Sequence, residues 1–152
     1  MRLYLVQHGR CLDEAQDPAR PLSPKGRREV ESIASIARHF DLSVARIEHS
    51  GKLRAEQTAD LLATALKPEE GVHARKGLAP RDDVADLVRS DQLSDRLMLV
   101  GHLPFLERLV GLLLIDDPDR RLYRMQNAGI LALERDEEGG WSIRWAVTPN
   151  LD

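Results

Sequence analysis

The chain has 152 residues, 42% of them hydrophobic and 31% charged, with a formal net charge of −3. That length and balance predict one globular domain over residues 1–152, able to bury a real core. Mild acidity, one cysteine (Cys11) and no apolar run near the roughly 18 residues of a membrane span point away from nucleic-acid binding, a disulfide framework and membrane insertion, and towards the cytoplasm.

Arg2 to Gln7 reads as a buried strand, followed by a loop of about fifteen residues rich in Asp, Pro and Ala, a length at which loops tend to be functional. Ser23-Pro24 is a helix start, Ser as N-cap and Pro at the first helical position. Val30, Ile33, Ala34, Ala37 and Phe40 then give that helix one apolar face. A short strand is predicted from Ala45 to His49, and a helix from Lys52 to Leu66, ended by Pro68. Residues 72–82 carry no clear pattern. A short helix near Val84 to Val88 precedes a strand from Arg96 to Val100, which runs into Gly101-His102. Pro104 opens a helix carrying Leu106, Leu109, Val110 and Leu113. Two last strands, Gly129 to Glu134 and Trp141 to Val147, are joined by the turn-prone Glu138-Gly139-Gly140. Alternation puts Trp141, Ile143, Trp145 and Val147 on one face, assigned to the core. Strands alternating with helices predict a three-layer α/β/α sandwich with a mainly parallel central sheet.

Two histidines follow confident strands: His8 in Val6-Gln7-His8-Gly9, and His102 in Val100-Gly101-His102-Leu103-Pro104. The carboxyl ends of strands form the ligand crevice of open α/β sheets, so the two imidazoles can meet there. Each has a neighbouring glycine, which lets backbone approach a ligand closely. Arg54, in the first turn of the second helix, is a cation at the end where helices favour anions. A bound anion there would offset the mismatch, and the guanidinium fork suits phosphate. The histidines show no metal-ligand spacing, so no metal or other cofactor is expected.

Four stretches, in order, resemble the histidine phosphatase superfamily and most of all its compact SixA-type phosphohistidine phosphatases, which share the phosphoglycerate mutase-like fold. They are the strand leading to His8-Gly9, Arg20-Pro21-Leu22-Ser23-Pro24-Lys25-Gly26, Leu53-Arg54-Ala55-Glu56-Gln57-Thr58-Ala59, and Gly101-His102-Leu103-Pro104. The resemblance implies a hydrolase in which His8 attacks phosphorus and forms a phosphohistidine intermediate. Gln7, Arg54 and His102 would bind the phosphoryl oxygens. The implied substrate is a phosphorylated protein bearing phosphohistidine, such as a histidine phosphotransfer domain in signal transduction, and the site would also accept phosphate or another oxyanion. Alternatives are a phosphoryl-binding adaptor with weak or no turnover and a small-molecule phosphomonoesterase.

The chain departs from the family at Gln7, where arginine is usual. The carboxamide keeps an NH₂ donor but loses charge and bidentate geometry. Arg10 is the candidate to restore that charge. Gly51 stands where the family tends to have proline. Asp82 and Asp83 are the candidate general acids, with a solvated loop pair as the competing reading. Arg20 either fixes its loop, the favoured reading, or meets substrate; His39 and His73 are assigned to the surface, and His49 to the sheet edge. Asn127 and Gly129 are read as possible backbone contacts to phosphate.

Overall fold

A computed structural model describes residues 1–151. The elements run β1 (Arg2–Gln7), α1 (Pro24–His39), β2 (Arg46–His49), α2 (Leu53–Leu66), β3 (Val72–Ala74), α3 (Val84–Arg89), β4 (Leu97–Gly101), α4 (Phe105–Ile115), β5 (Ile130–Arg135) and β6 (Trp141–Val147). The strands form one mixed sheet in the order β3-β2-β4-β1-β5-β6. β3, β2, β4 and β1 pair in parallel, while β5 is antiparallel to both of its neighbours. The sheet is mainly parallel, as expected: four of its six strands pair in parallel, and they carry the site.

Both faces are covered, which is why the central strands read as nearly unbroken apolar runs. Tyr4 and Val6 of β1 join Ile47, Met98 and Val100 under Val30 and Ile33 of α1 and Ala55, Ala59 and Leu62 of α2. Leu3 and Leu5 point the other way, with Leu97, Leu99 and Leu131, against Leu87 of α3 and Phe105, Leu106 and Leu109 of α4. Ser23 caps α1 as its sequence predicts, its Oγ accepting the Gly26 amide at 3.0 Å. Gly26 is required there, because a Cβ would lie 2.0 Å from the Arg10 carbonyl oxygen. That contact seats the first loop on the start of α1.

The patternless stretch contains the three-residue edge strand β3. The last strand corrects the sequence reading. Pairing along β5 shifts register between Ala132 and Leu133, which oppose Trp145 and Ile143 respectively. This bulge breaks the alternation and sends Trp145 to the α1–α2 side, where its ring lies 6.1 Å from that of Tyr4, and Trp141 to the α3–α4 side. As an outer strand β6 is mostly exposed, with Ile143 and Trp145 about two-fifths accessible, so this row does not form a core face.

Candidate active site

The loops after β1, β2 and β4 leave the sheet at the same end, because Gln7 pairs with Gly101 and His49 with Val100. His8 and His102, 94 positions apart, meet there with ring centroids 5.0 Å from each other. The nucleophile candidate is fixed through its backbone. His8 N–H donates to the Gly101 carbonyl at 3.0 Å, and the Asn127 carboxamide donates to the His8 carbonyl at 2.8 Å. Gly9 N–H donates to Oγ1 of the fully buried Thr58 at 2.9 Å, and Thr58 Oγ1 donates to the Arg54 carbonyl at 2.8 Å. One hydroxyl thus couples the loop that carries His8 to the helical turn that carries Arg54.

A hydrogen bond also assigns the ring proton of His8. His8 Nδ1 lies 2.7 Å from the Gly9 carbonyl, which can only accept, so Nδ1 bears the proton and Nε2 keeps its lone pair. Burial, opposed by that bond and reinforced by Arg54 and Arg20, lowers the His8 pKa to about 4. The ring is neutral at pH 7. His102 is 2% exposed, with Nε2 2.6 Å from Ser50 Oγ. Ser50 Oγ accepts the Lys52 amide at 3.4 Å, and the proton it shares with His102 Nε2 lies on either partner, so His102 takes either tautomer. Burial first, then His8, Arg54, Lys52 and Arg20, lower its pKa to about 3.

Arg54 is the second residue of α2, as expected, and its pKa is lowered by burial and then by Arg20. Its Nε and the Nδ1 of His102 are buried without a hydrogen-bond partner among the described residues. Buried polar groups are nearly always paired, and unpaired ones cost stability. An unsatisfied guanidinium nitrogen and an unsatisfied imidazole nitrogen, in the electrostatic neighbourhood of a neutral His8, mark this strand end as a candidate binding site.

Several residues stand differently from the sequence reading. Arg20 does bond within its loop, Nε donating to the Leu12 carbonyl at 3.5 Å and Nη2 to Cys11 Sγ at 3.6 Å, and its field also reaches His8, Arg54 and His102. Its backbone is in the left-handed region at φ 50°, rare for a side-chain-bearing residue, and its N–H is held by the Asp17 carbonyl at 3.0 Å. Arg10, the proposed replacement for charge at Gln7, instead donates from Nε to Glu29 at 2.9 Å. Gln7 turns to the α4 side of the sheet, its Oε1 buried and unpaired among the described residues. Asp82 accepts the Ala79 amide at 2.8 Å and Asp83 caps α3 through the Ala85 amide at 2.9 Å, so both carboxylates have backbone duties. His49 is not at the sheet edge. It is buried on an inner strand, accepting the Gly51 amide at 3.1 Å. Gly51 has φ 89°, which proline, fixed near −65°, does not adopt. Asn127 acts through its side chain on His8, and sequence reasoning had no signal for that or for the roles of Ser50 and Thr58.

Among the described residues no group of three or more His, Cys, Asp or Glu side chains is placed to hold a metal ion, and no helix is long and apolar enough to cross a membrane. No protein-family model matches the chain. It is 35% identical over 143 residues to an uncharacterized protein of Picosynechococcus, covering 88% of this chain and 84% of that protein. It is 25% identical over 155 residues to the phosphohistidine phosphatase SixA of Escherichia coli K12, covering 98% and 94% of the two. Among solved structures, the protein histidine phosphatase SixA complexed with tungstate superposes with a TM-score of 0.82 at 25% identity, covering 98% of this chain and 97% of that one. Shared sequence and shared topology over nearly the whole length make the chain a homologue of SixA, with the phosphoglycerate mutase-like fold of the histidine phosphatase superfamily.

Proposed function

We propose that the protein hydrolyses phosphohistidine on a partner protein, by covalent catalysis on His8 and without a metal. The observation that carries this is the His8 tautomer: Nδ1 is tied to the Gly9 carbonyl, so the free lone pair sits on Nε2, in a pocket of polar atoms (Arg54 Nε and His102 Nδ1) that have no partner among the described residues. In the first step His8 Nε2 forms a bond to phosphorus as the substrate's P–N bond breaks. The substrate imidazole, already protonated on its distal nitrogen, departs as a neutral ring. Water then attacks the phosphoryl group on His8, restoring Nε2 and releasing phosphate.

Phosphoryl transfer asks mainly for alignment and for charge around the equatorial oxygens. Arg54 supplies a guanidinium, His102 a neutral donor in its Nδ1–H tautomer, and Arg20 a second positive field. The substrate class follows from what Asp82 and Asp83 are doing. Each engages a backbone amide through one oxygen, so each is held as an acceptor and not positioned as an acid. An imidazole leaving group needs no such acid, so P–N cleavage suits the site better than alkyl P–O cleavage.

The test is a comparison of kcat/KM for a phosphorylated histidine phosphotransfer domain, an aryl phosphate and an alkyl phosphate. The reading expects that order of decreasing rate. Alkyl phosphates cleaved as fast as the phosphoprotein would make the protein a small-molecule phosphomonoesterase. Vanadate binding with no hydrolysis of any substrate would make it an adaptor.

A further inference from the structure

We propose that a cavity next to His8 is a second recognition subsite, which takes an acidic side chain of the phosphohistidine-bearing protein. The inference rests on the substrate reading above and adds what the enzyme looks for beside the phosphoryl group. The cavity has a volume of about 520 Å³, within the range of roughly 300–1,000 Å³ typical of ligand pockets. It abuts the nucleophile's own backbone. Gln7, the residue before His8, lines it, and so does Asn127, whose carboxamide holds the His8 carbonyl at 2.8 Å. Gln7 reaches it because side chains of β1 alternate: Val6 faces α1 and α2, while Leu5 and Gln7 face α4.

The lining is built for negative charge. Arg10, Arg121 and Arg124 contribute three guanidiniums, against one carboxylate, Glu107. Glu107 is already engaged, accepting the Met125 amide at 2.9 Å through Oε2 and lying 3.8 Å from Arg121 through Oε1. Arg10 uses its Nε for Glu29, which leaves its terminal nitrogens. Arg124 makes no ion pair or hydrogen bond among the described residues. Among the described residues, Arg10 is paired with Glu29 and Arg121 with Glu107, which leaves the charge of Arg124 unmatched.

A second observation concerns the ligand's other end. Gln7 Oε1 is a buried acceptor with no partner among the described residues, in a wall that also carries three guanidiniums. An occupant that offers a carboxylate to the arginines and an N–H to Gln7 satisfies both, and an Asp or Glu residue in a peptide has those two groups. A free carboxylate or phosphate lacks the N–H. The loss of arginine at position 7 thus becomes a specificity device: a shorter, neutral side chain leaves room and an acceptor where a long cation would fill the space.

The test uses two phosphohistidine peptides that differ only in a Glu or Gln beside the phosphorylated residue, with p-nitrophenyl phosphate as a control. In the wild type, KM for the Glu peptide should be lower by roughly threefold to fivefold per arginine engaged, the size of a partly exposed ion pair. Arg124→Ala and Arg121→Ala should each shrink that preference, and the double variant should abolish it. Turnover of p-nitrophenyl phosphate should not change, since neither residue touches the phosphoryl site. Equal KM values in the wild type, or a preference that survives in the double variant, would overturn the proposal. If neither phosphopeptide is cleaved while the aryl phosphate is, the substrate reading fails instead. Calorimetry with the unphosphorylated Glu peptide then decides the cavity separately: binding lost in the double variant supports it, and no binding to the wild type ends it.

Discussion

Thr58→Val removes the hydroxyl that joins the two halves of the active site while keeping its volume. Thr58 is fully buried, and its Oγ1 accepts from Gly9 and donates to the Arg54 carbonyl. The Arg54 carbonyl still has its helical partner after the change, so it loses little. Gly9 N–H does not. It becomes a buried donor facing a methyl group, at a cost of about 1–3 kcal/mol. For a chain of this size each kcal/mol moves Tm by roughly 2–4 °C, so the variant should melt about 2–12 °C below the wild type. Catalysis should fall as well, because the His8 loop loses its tether to α2, and misplacement by about 1 Å can cost 10²-fold in rate. Thr58→Ser keeps the hydroxyl and should recover most of kcat. Melting followed by circular dichroism, with aryl phosphate kinetics on the same samples, measures both effects. A Thr58→Val protein as stable and as active as the wild type would refute the idea that this hydroxyl couples nucleophile to guanidinium.

Arg54→Lys keeps the charge but loses the planar fork, and kcat should drop by about 10²–10³ with little change in Tm; single-turnover kinetics would check it. Gly26→Ala places a Cβ against the Arg10 carbonyl, which is backbone and cannot swing aside, so a loss of about 1–3 kcal/mol in urea unfolding is expected. The low His8 pKa, about 4, puts the acid limb of kcat/KM near pH 4 instead of the ordinary 6.5, and a full pH profile reads it directly. The stability consequence has a definite sign. The unfolded chain binds protons at His8 and His102 below pH 6.5 while the folded chain refuses them until about pH 4 and 3, so stability is lost as pH falls through that window. Replacing His102 by Gln should flatten the decline.

The parts of the site that local chemistry dictates were legible in the sequence. His8 and His102 declare themselves because each ends an apolar run beside a glycine, and a sheet gathers its parallel strand ends on one side. Arg54 is legible because its place in the first turn of α2 conflicts with the helix dipole. What escaped the reading depends on loop paths and on pairing. Arg20 reaches the electrostatic neighbourhood of His8 only through the left-handed turn it makes in a long loop, and composition carries no trace of that. Thr58 looks like one more small residue on a helix until Gly9 is laid against it. Trp145 and Trp141 read as neighbours on one face until a bulge separates them. Gly51, a departure from the family at the level of sequence, follows from a backbone angle that only the fold defines.

The account stands on His8 Nε2 as the atom that takes the phosphoryl group. Mixing the protein with a ³²P-phosphohistidine protein, quenching in alkaline detergent within milliseconds and mapping the label tests this directly. The account predicts an alkali-stable, acid-labile label on the peptide containing His8, formed and lost at rates that match turnover, and absent from His8→Ala. Turnover with no labelled enzyme at any time, or full activity in His8→Ala, would contradict it.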